Sequence, residues 1–275
     1  MHRALVWLLL VGLLSMMACA AIPRKSMIPT ATAAITATPL ESASNPGAPA
    51  VLPESGAPIP VSAAQQGHWY PRGIGLPLTT DDPALKDKKV AVLTFDDGPS
   101  TSDSTARILD ALKEQNVKAM FFVTGAAFKH RDLVERMHRE GHVVGPHSMT
   151  HANLTRLQPA EVREEIEPLN GLIESVTGAK PKYLRPPYGA YNPDVQAIAR
   201  ELGLELINWT DGSLDWQGLD SDGYKDPKVI VADVLRQLHR GAIVLMHDTK
   251  RHTADALPEV IRRIRAEGYE FVVLR

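Results

Sequence analysis

From residue 89 to residue 274 the chain alternates strand-length apolar runs with segments whose apolar residues recur at helical spacing, and few folds accept that order. The strand candidates are 89–95, 119–124, 142–145, 183–185, 205–209, 242–246 and 269–274. Amphipathic helices are expected at 104–115, 131–140, 159–176, 193–202, 227–239 and 256–267. In the fourth of these, Asn192-Pro193 opens the segment and Gly203 closes it: a cap, a first-turn proline and a terminating glycine. Strands joined through helices pair in parallel, because each crossover returns the chain in the same direction. The alternation therefore predicts an α/β fold, seven βα units in a closed or nearly closed (β/α)7 barrel forming a single domain.

That domain does not use the whole chain. Residues 1–20 begin with the basic pair His2 and Arg3 and continue with an apolar run of about fourteen residues from Ala4 to Met17, the pattern of a signal peptide. A membrane-spanning helix needs roughly 20 apolar residues, so the run is short for one. Two processing readings meet at Cys19: lipidation of this cysteine after a lipobox-like Met16-Met17-Ala18, or cleavage at the small-residue site Ala18-Cys19-Ala20. Residues 21–66 follow with 28 of 46 positions taken by Ala, Pro, Ser or Thr and no aromatic, too little apolar surface to offset the entropy of ordering. They are expected to form a disordered tether, with the folded domain at 67–275. One cysteine excludes a disulfide scaffold and any multi-cysteine zinc site. The near balance of 30 Lys and Arg against 32 Asp and Glu argues against a nucleic-acid partner.

The ends of the expected strands carry the chemistry. Asp96 and Asp97 follow the first, His147 the third, Arg185 ends the fourth, Asp211 and Asp215 follow the fifth, and His247 the sixth. In βα barrels those ends form one face, where active sites gather. In Thr94-Phe95-Asp96-Asp97-Gly98-Pro99-Ser100 neighbouring carboxylates point in different directions, so one can hold a metal while the other stays free as a base. His147 and His151 stand four apart, a spacing that one helical turn brings to one face, and with Asp97 they make a ligand set with open positions. Arg185-Pro186-Pro187-Tyr188-Gly189 is a stiff loop with a cation at its root, able to orient a carboxylate base. His130, His138, His142, His239 and His252 lack such company and read as ordinary surface or core residues.

These segments together resemble the polysaccharide deacetylases of the NodB-homology group, carbohydrate esterase family four, a resemblance that implies a distorted (β/α)7 barrel in a single catalytic domain. Thr94–Ser100, His147–His151, Arg185–Gly189 and Leu245-Met246-His247 are similar to the first, second, third and fifth motifs, in the family's order. The fourth motif departs: family members show Trp-x-x-Asp-x-x-Asp-Trp, whereas here Trp209-Thr210-Asp211-Gly212-Ser213-Leu214-Asp215-Trp216 has its first acid one place early. The resemblance implies a divalent metal, zinc or alternatively cobalt or nickel, held by Asp97, His147 and His151. It implies Asp96 as general base oriented by Arg185, the Tyr188 N–H at the oxyanion, His247 as general acid, and Trp216 and Leu245 around the acetyl methyl. Of the two acids beside His247, the backbone freedom of Gly212 favours Asp211 as its partner, leaving Asp215 to cap the loop.

The implied reaction is removal of N-acetyl groups from N-acetylglucosamine in a cell-envelope polysaccharide, with peptidoglycan favoured because the leader and tether place a monomeric enzyme beside it. The alternatives are an O-acetyl esterase on xylan or a similar glycan, and a non-catalytic glycan-binding lipoprotein. Membrane contact is expected only through a lipid on Cys19, and the protein is expected to be exported, either anchored or periplasmic/extracellular. Growth of the host with labelled palmitate is expected to mark the protein, with the label lost in Cys19→Ala; absence of label in the native chain would establish Ala-x-Ala cleavage instead.

Overall fold

The structure, a computed structural model, describes residues 62–274. The expected signal peptide, Cys19 and most of the tether lie outside the described residues. Within them the chain forms α1 (Ala63–Gln66), β1 (Tyr70–Pro71), β2 (Leu78–Thr79), β3 (Val90–Asp96), α2 (Ser104–Glu114), β4 (Met120–Val123), α3 (Arg131–Arg139) and β5 (Val143–Pro146). There follow α4 (Pro159–Thr177), β6 (Tyr183–Leu184), α5 (Pro193–Glu201), β7 (Glu205–Leu206), β8 (Asp211–Gly212), α6 (Pro227–Gln237), β9 (Ala242–His247), α7 (Arg251–Ala266) and β10 (Glu270–Phe271).

The main sheet runs β5-β4-β3-β9-β8, every pair parallel, and β10 adds to the first residues of β3. β6 and β7 form a separate parallel pair, tied to β5 by the Arg185 N–H donating to the Pro146 carbonyl at 3.2 Å. No ladder joins β7 to β8 or β5 to β6 among the described residues, so the strands form a distorted, open barrel and not a closed one. The expected parallel α/β architecture is present, with each of the seven expected strands at its place and β1, β2 and β8 in addition.

β3 is buried along its whole length because both of its faces are covered. Ala91, Leu93 and Phe95 pack outward into the helix layer with Ile108, Val234 and Val260. Val90 and Val92 pack inward with Met120, Phe122, Tyr183, Ile207 and Ile243. The two-residue period therefore turns Thr94 and Asp96 to the interior and lets Asp97 leave the strand at the mouth. α5 starts as its sequence requires: the Asn192 side chain accepts from the Val195 N–H at 2.9 Å, with Pro193 in the first turn.

Several boundaries differ from expectation; β7 and β10 are shorter, ending at Leu206 and Phe271. Ala64 is fully buried and its carbonyl accepts from Trp69 Nε1 at 2.7 Å, so packing reaches back three residues before Gly67. α7 begins at Arg251 rather than at 256, since its first turn is polar in sequence but buries His252 and Thr253. Asp211 and Gly212 form a strand on β9, in register with Val244 and Leu245, where a flexible loop was expected.

That register turns Asp211 with Val244 toward the helix layer. Neither of its oxygens makes a hydrogen bond. Burial raises its carboxyl to about 7, only partly offset by the nearby Gly212 N–H. The native state then binds a proton that the unfolded chain has released, so this group lowers stability as pH rises from about 4 to about 7, with the full deficit above that. Asp211→Asn is expected to raise the melting temperature at pH 8 by several degrees, at about 2–4 °C per kcal/mol regained, and to lose that advantage as the pH falls toward 4. Thermal melts of both proteins at pH 4.5 and 8, as round settings on either side of about 7, test this.

Candidate active site

Two carboxylates leave the end of β3 in different environments. Asp96, buried, accepts from Arg185 Nη1 through Oδ1 at 2.9 Å, and its Oδ2 lies 3.7 Å from His147 Nε2. Arg185 has no exposed surface; Nη1 also donates to Thr94 Oγ1 at 2.6 Å, Nε donates to the Ile207 carbonyl at 3.3 Å, and the guanidinium lies 4.3 Å from the Phe122 ring centre. Burial pulls the Arg185 pKa down and the charge of Asp96 opposes this.

Asp97 turns away into a left-handed backbone at φ 77°, its carbonyl accepting from Thr124 Oγ1. Its Oδ1 is 3.6 Å from His147 Nε2 and 3.3 Å from His151 Nε2, and it makes no hydrogen bond. The His147 ring is fixed from behind, because Nδ1 donates to the Arg185 carbonyl at 2.7 Å, leaving the Nε2 lone pair toward Asp97. Burial pushes the His147 pKa down against the attraction of Asp96 and Asp97, which favours a neutral ring. A buried, unpartnered carboxylate oxygen converging with two imidazole nitrogens fits a divalent cation.

The two histidines do not meet on a helical turn, as their spacing predicted. They flank a loop after β5 in which Ser148 and His151 both adopt positive φ, at 63° and 59°. α4 holds that loop: Met149 N–H donates to the Glu165 carbonyl, and Thr150 gives its N–H and hydroxyl to the Glu165 carboxylate. Tyr188, also left-handed at φ 62°, sets its ring edge-on to His151 at 4.7 Å and is 64% exposed at the mouth. Asn208 Nδ2 donates to the Gly189 carbonyl and steadies this loop.

At the end of β9, His247 Nδ1 is 2.7 Å from Asp215 Oδ1, so Nε2 faces the mouth, 3.9 Å from Asp97 Oδ2. Asp215 Oδ2 accepts from the His247 N–H at 2.8 Å and from Thr253 Oγ1 at 2.6 Å, and its carbonyl accepts from His252 Nε2. Burial raises the Asp215 pKa, but His247 and Thr253 outweigh it and hold the carboxyl below its usual range. Burial likewise lowers His247, yet the Asp215 bond and the charges of Asp215, Asp96 and Asp97 bring it up to about 9. Trp216 lies edge-to-face on the His247 ring at 5.2 Å, and Leu245 points inward beside it on the same strand.

The expectation that Asp211 partners His247 is overturned. Asp211 sits one strand position out of phase, facing the helices, and Gly212 is strand-paired instead of re-aiming its neighbour. Asp215 is the partner. His252, read as an ordinary residue, belongs to the support of Asp215, as do Thr253 and Thr94. Thr94 was legible as the inward neighbour two places before Asp96; His252 and Thr253 carry no sequence signal of their role.

Five strand or loop ends thus bring Asp96, Asp97, His147, His151, Arg185, Asp215 and His247 to one mouth, where three of them could hold a metal ion beside a carboxylate on a cation and an imidazole on a carboxylate. Sequence comparison agrees with that layout. The polysaccharide deacetylase family profile matches residues 84–207, and the chain belongs to that family. It is 37% identical over 215 residues to the peptidoglycan-N-acetylglucosamine deacetylase PgdA of Listeria monocytogenes, covering 78% of this chain and 43% of that protein, so it spans less than half of that relative's length. It is 35% identical over 221 residues to a peptidoglycan-N-acetylglucosamine deacetylase of Bacillus cereus, covering 78% of each. The solved Bc1960 peptidoglycan N-acetylglucosamine deacetylase superposes with a TM-score of 0.63 at 33% identity, over 68% of this chain and 87% of that one.

The carboxylate behind His247 makes a direct spectroscopic prediction. In the metal-free protein Asp215→Asn is expected to move the His247 midpoint down from about 9, because a lost carboxylate no longer stabilises the imidazolium. Asp211→Asn leaves it in place. NMR titration of the His247 ring protons in both variants is the measurement, and a midpoint that moves only in Asp211→Asn would contradict the assignment.

Proposed function

We propose that the protein is a metal-dependent deacetylase that removes N-acetyl groups from N-acetylglucosamine residues of peptidoglycan. The observation that carries this reading is the separation of roles at one mouth: a carboxylate on a buried guanidinium, a carboxylate on two imidazoles, and an imidazole on a third carboxylate. A divalent cation held by Asp97, His147 and His151, zinc or alternatively cobalt or nickel, supplies Lewis acidity at the acyl oxygen and acidifies water.

The remaining chemistry falls to the chain. Asp96 Oδ2, free of the Arg185 contact, takes the proton of the attacking water while Arg185 keeps the carboxylate oriented. The Tyr188 N–H donates to the oxygen that gathers negative charge as the carbonyl becomes tetrahedral. His247, charged near neutral pH because Asp215 raises its pKa, gives the Nε2 proton to the departing nitrogen as the C–N bond breaks. Leu245 and Trp216 enclose the acetyl methyl.

The names of the relatives support peptidoglycan as the substrate. In this reading the N-terminal leader exports the protein, which is anchored by a lipid on Cys19 or released by cleavage at Ala18-Cys19-Ala20, and residues 21–66 let the catalytic domain reach the wall as a monomer. The test is acetate release by the purified protein from peptidoglycan, chitin oligomers and acetylxylan, with and without chelator. Peptidoglycan is expected to respond, with loss on chelation and a drop of about 10²–10⁴-fold in Asp96→Asn. A response from acetylxylan alone would make the protein an O-acetyl esterase.

A further inference from the structure

Asp248 follows His247 and takes no part in the steps above, yet it is 1% exposed. Its Oδ2 accepts from Thr105 Oγ1 at 2.8 Å, and the same hydroxyl oxygen accepts from the Ser100 N–H at 2.9 Å. The carboxylate presses on the loop after β3 so closely that a Cβ at Gly98 would fall 1.9 Å from Oδ2. From the opposite direction Thr124 donates its N–H to the Gly98 carbonyl at 2.9 Å and its hydroxyl to the Asp97 carbonyl at 3.1 Å. Between these holds Asp97 keeps φ 77°, a conformation an L-residue retains only when its surroundings enforce it.

We propose that Asp248 is a positioning residue of the metal centre: with Thr105 it clamps residues 97–100, so that Asp97 keeps the backbone conformation that aims its carboxylate at His147 and His151. The inference rests on the reading of those three residues as ligands. Without the carboxylate the loop loses a wall at Gly98 and an acceptor at Thr105, and Asp97 can relax toward ordinary φ. The Asp97 oxygen then leaves the point where the two imidazoles converge. Groups that orient metal ligands in this way typically change metal affinity by about 10–100-fold when removed.

The experiment is the zinc Kd of the full chain, measured without substrate by competition with a chelating dye, alongside the melting temperature. Asp248→Ala and Thr105→Val are each expected to weaken zinc binding by about 10-fold or more. Asp248→Asn is expected to stay within about threefold of the native protein, because its amide oxygen still accepts the Thr105 hydroxyl and keeps the shape against Gly98. A native zinc Kd in the alanine and valine variants, with only the melting temperature lowered, overturns the proposal; so does an asparagine variant as weak as the alanine one. If Asp248→Ala does not fold, the near-isosteric Thr105→Val decides. A native protein that binds zinc but releases no acetate contradicts the deacetylase reading and leaves the clamp test standing. A native protein that binds no zinc overturns the ligand assignment and the clamp together.

Discussion

A guanidinium with no exposed surface has to be neutralised and hydrogen-bonded where it lies, and that requirement at Arg185 organises the mouth of this barrel. Its side chain takes up Asp96, Thr94 and the Ile207 carbonyl, which fixes the proposed base. Its own carbonyl accepts from His147 Nδ1, which fixes the tautomer and the aim of a proposed ligand. One residue at the end of β6 therefore sets both the proton acceptor and the metal-facing imidazole. Removing such a charge leaves Asp96 buried and unpaired, a loss on the order of 3–5 kcal/mol, so the arrangement is held by its own electrostatic cost.

Five aspartates close to one another take different characters from their surroundings. Asp96 is matched by a cation, Asp215 by an imidazole and a threonine, and Asp97 by two imidazole nitrogens with no hydrogen bond to its inner oxygen. Asp211 and Asp248 lie where burial dominates, and both carboxyls rise to about 7. Identical side chains thus come to differ in charge partner and proton affinity through placement alone. The backbone shares in this: among the described residues six non-glycines adopt positive φ, and all but Asn116 (Asp97, Ser148, His151, Tyr188 and Leu214) belong to the loops of the site. Strain of about 1–3 kcal/mol per residue persists there because hydrogen bonds with Thr124, Glu165, Asn208 and Lys225 hold the loops in place.

Much of the architecture was legible in the alternation of apolar runs, since strand-length segments between amphipathic helices leave a parallel sheet as the natural pairing. The strand ends were legible too, because a two-residue period states which side chains face inward once the strand is known. The period even marked Thr94 beside Asp96. It failed at the fourth motif for a concrete reason: Asp211 and Gly212 look like loop residues but pair with Val244 and Leu245, a contact made across more than thirty positions of chain.

By itself the sequence determined the parallel α/β class, the residues available at the strand ends, and the kinship with a deacetylase family through motifs in order. It determined these because periodicity and residue type are local properties, written within a few positions. Only the tertiary structure decided that Asp215 and not Asp211 stands behind His247, that His147 and His151 converge through left-handed loop residues, and that His252, Thr253 and Asp248 brace the site. Those are questions of direction and of partners far along the chain. Two carboxylates four residues apart are indistinguishable in sequence, whereas strand pairing turns Asp211 into the helix layer and the loop beyond β8 brings Asp215 to His247.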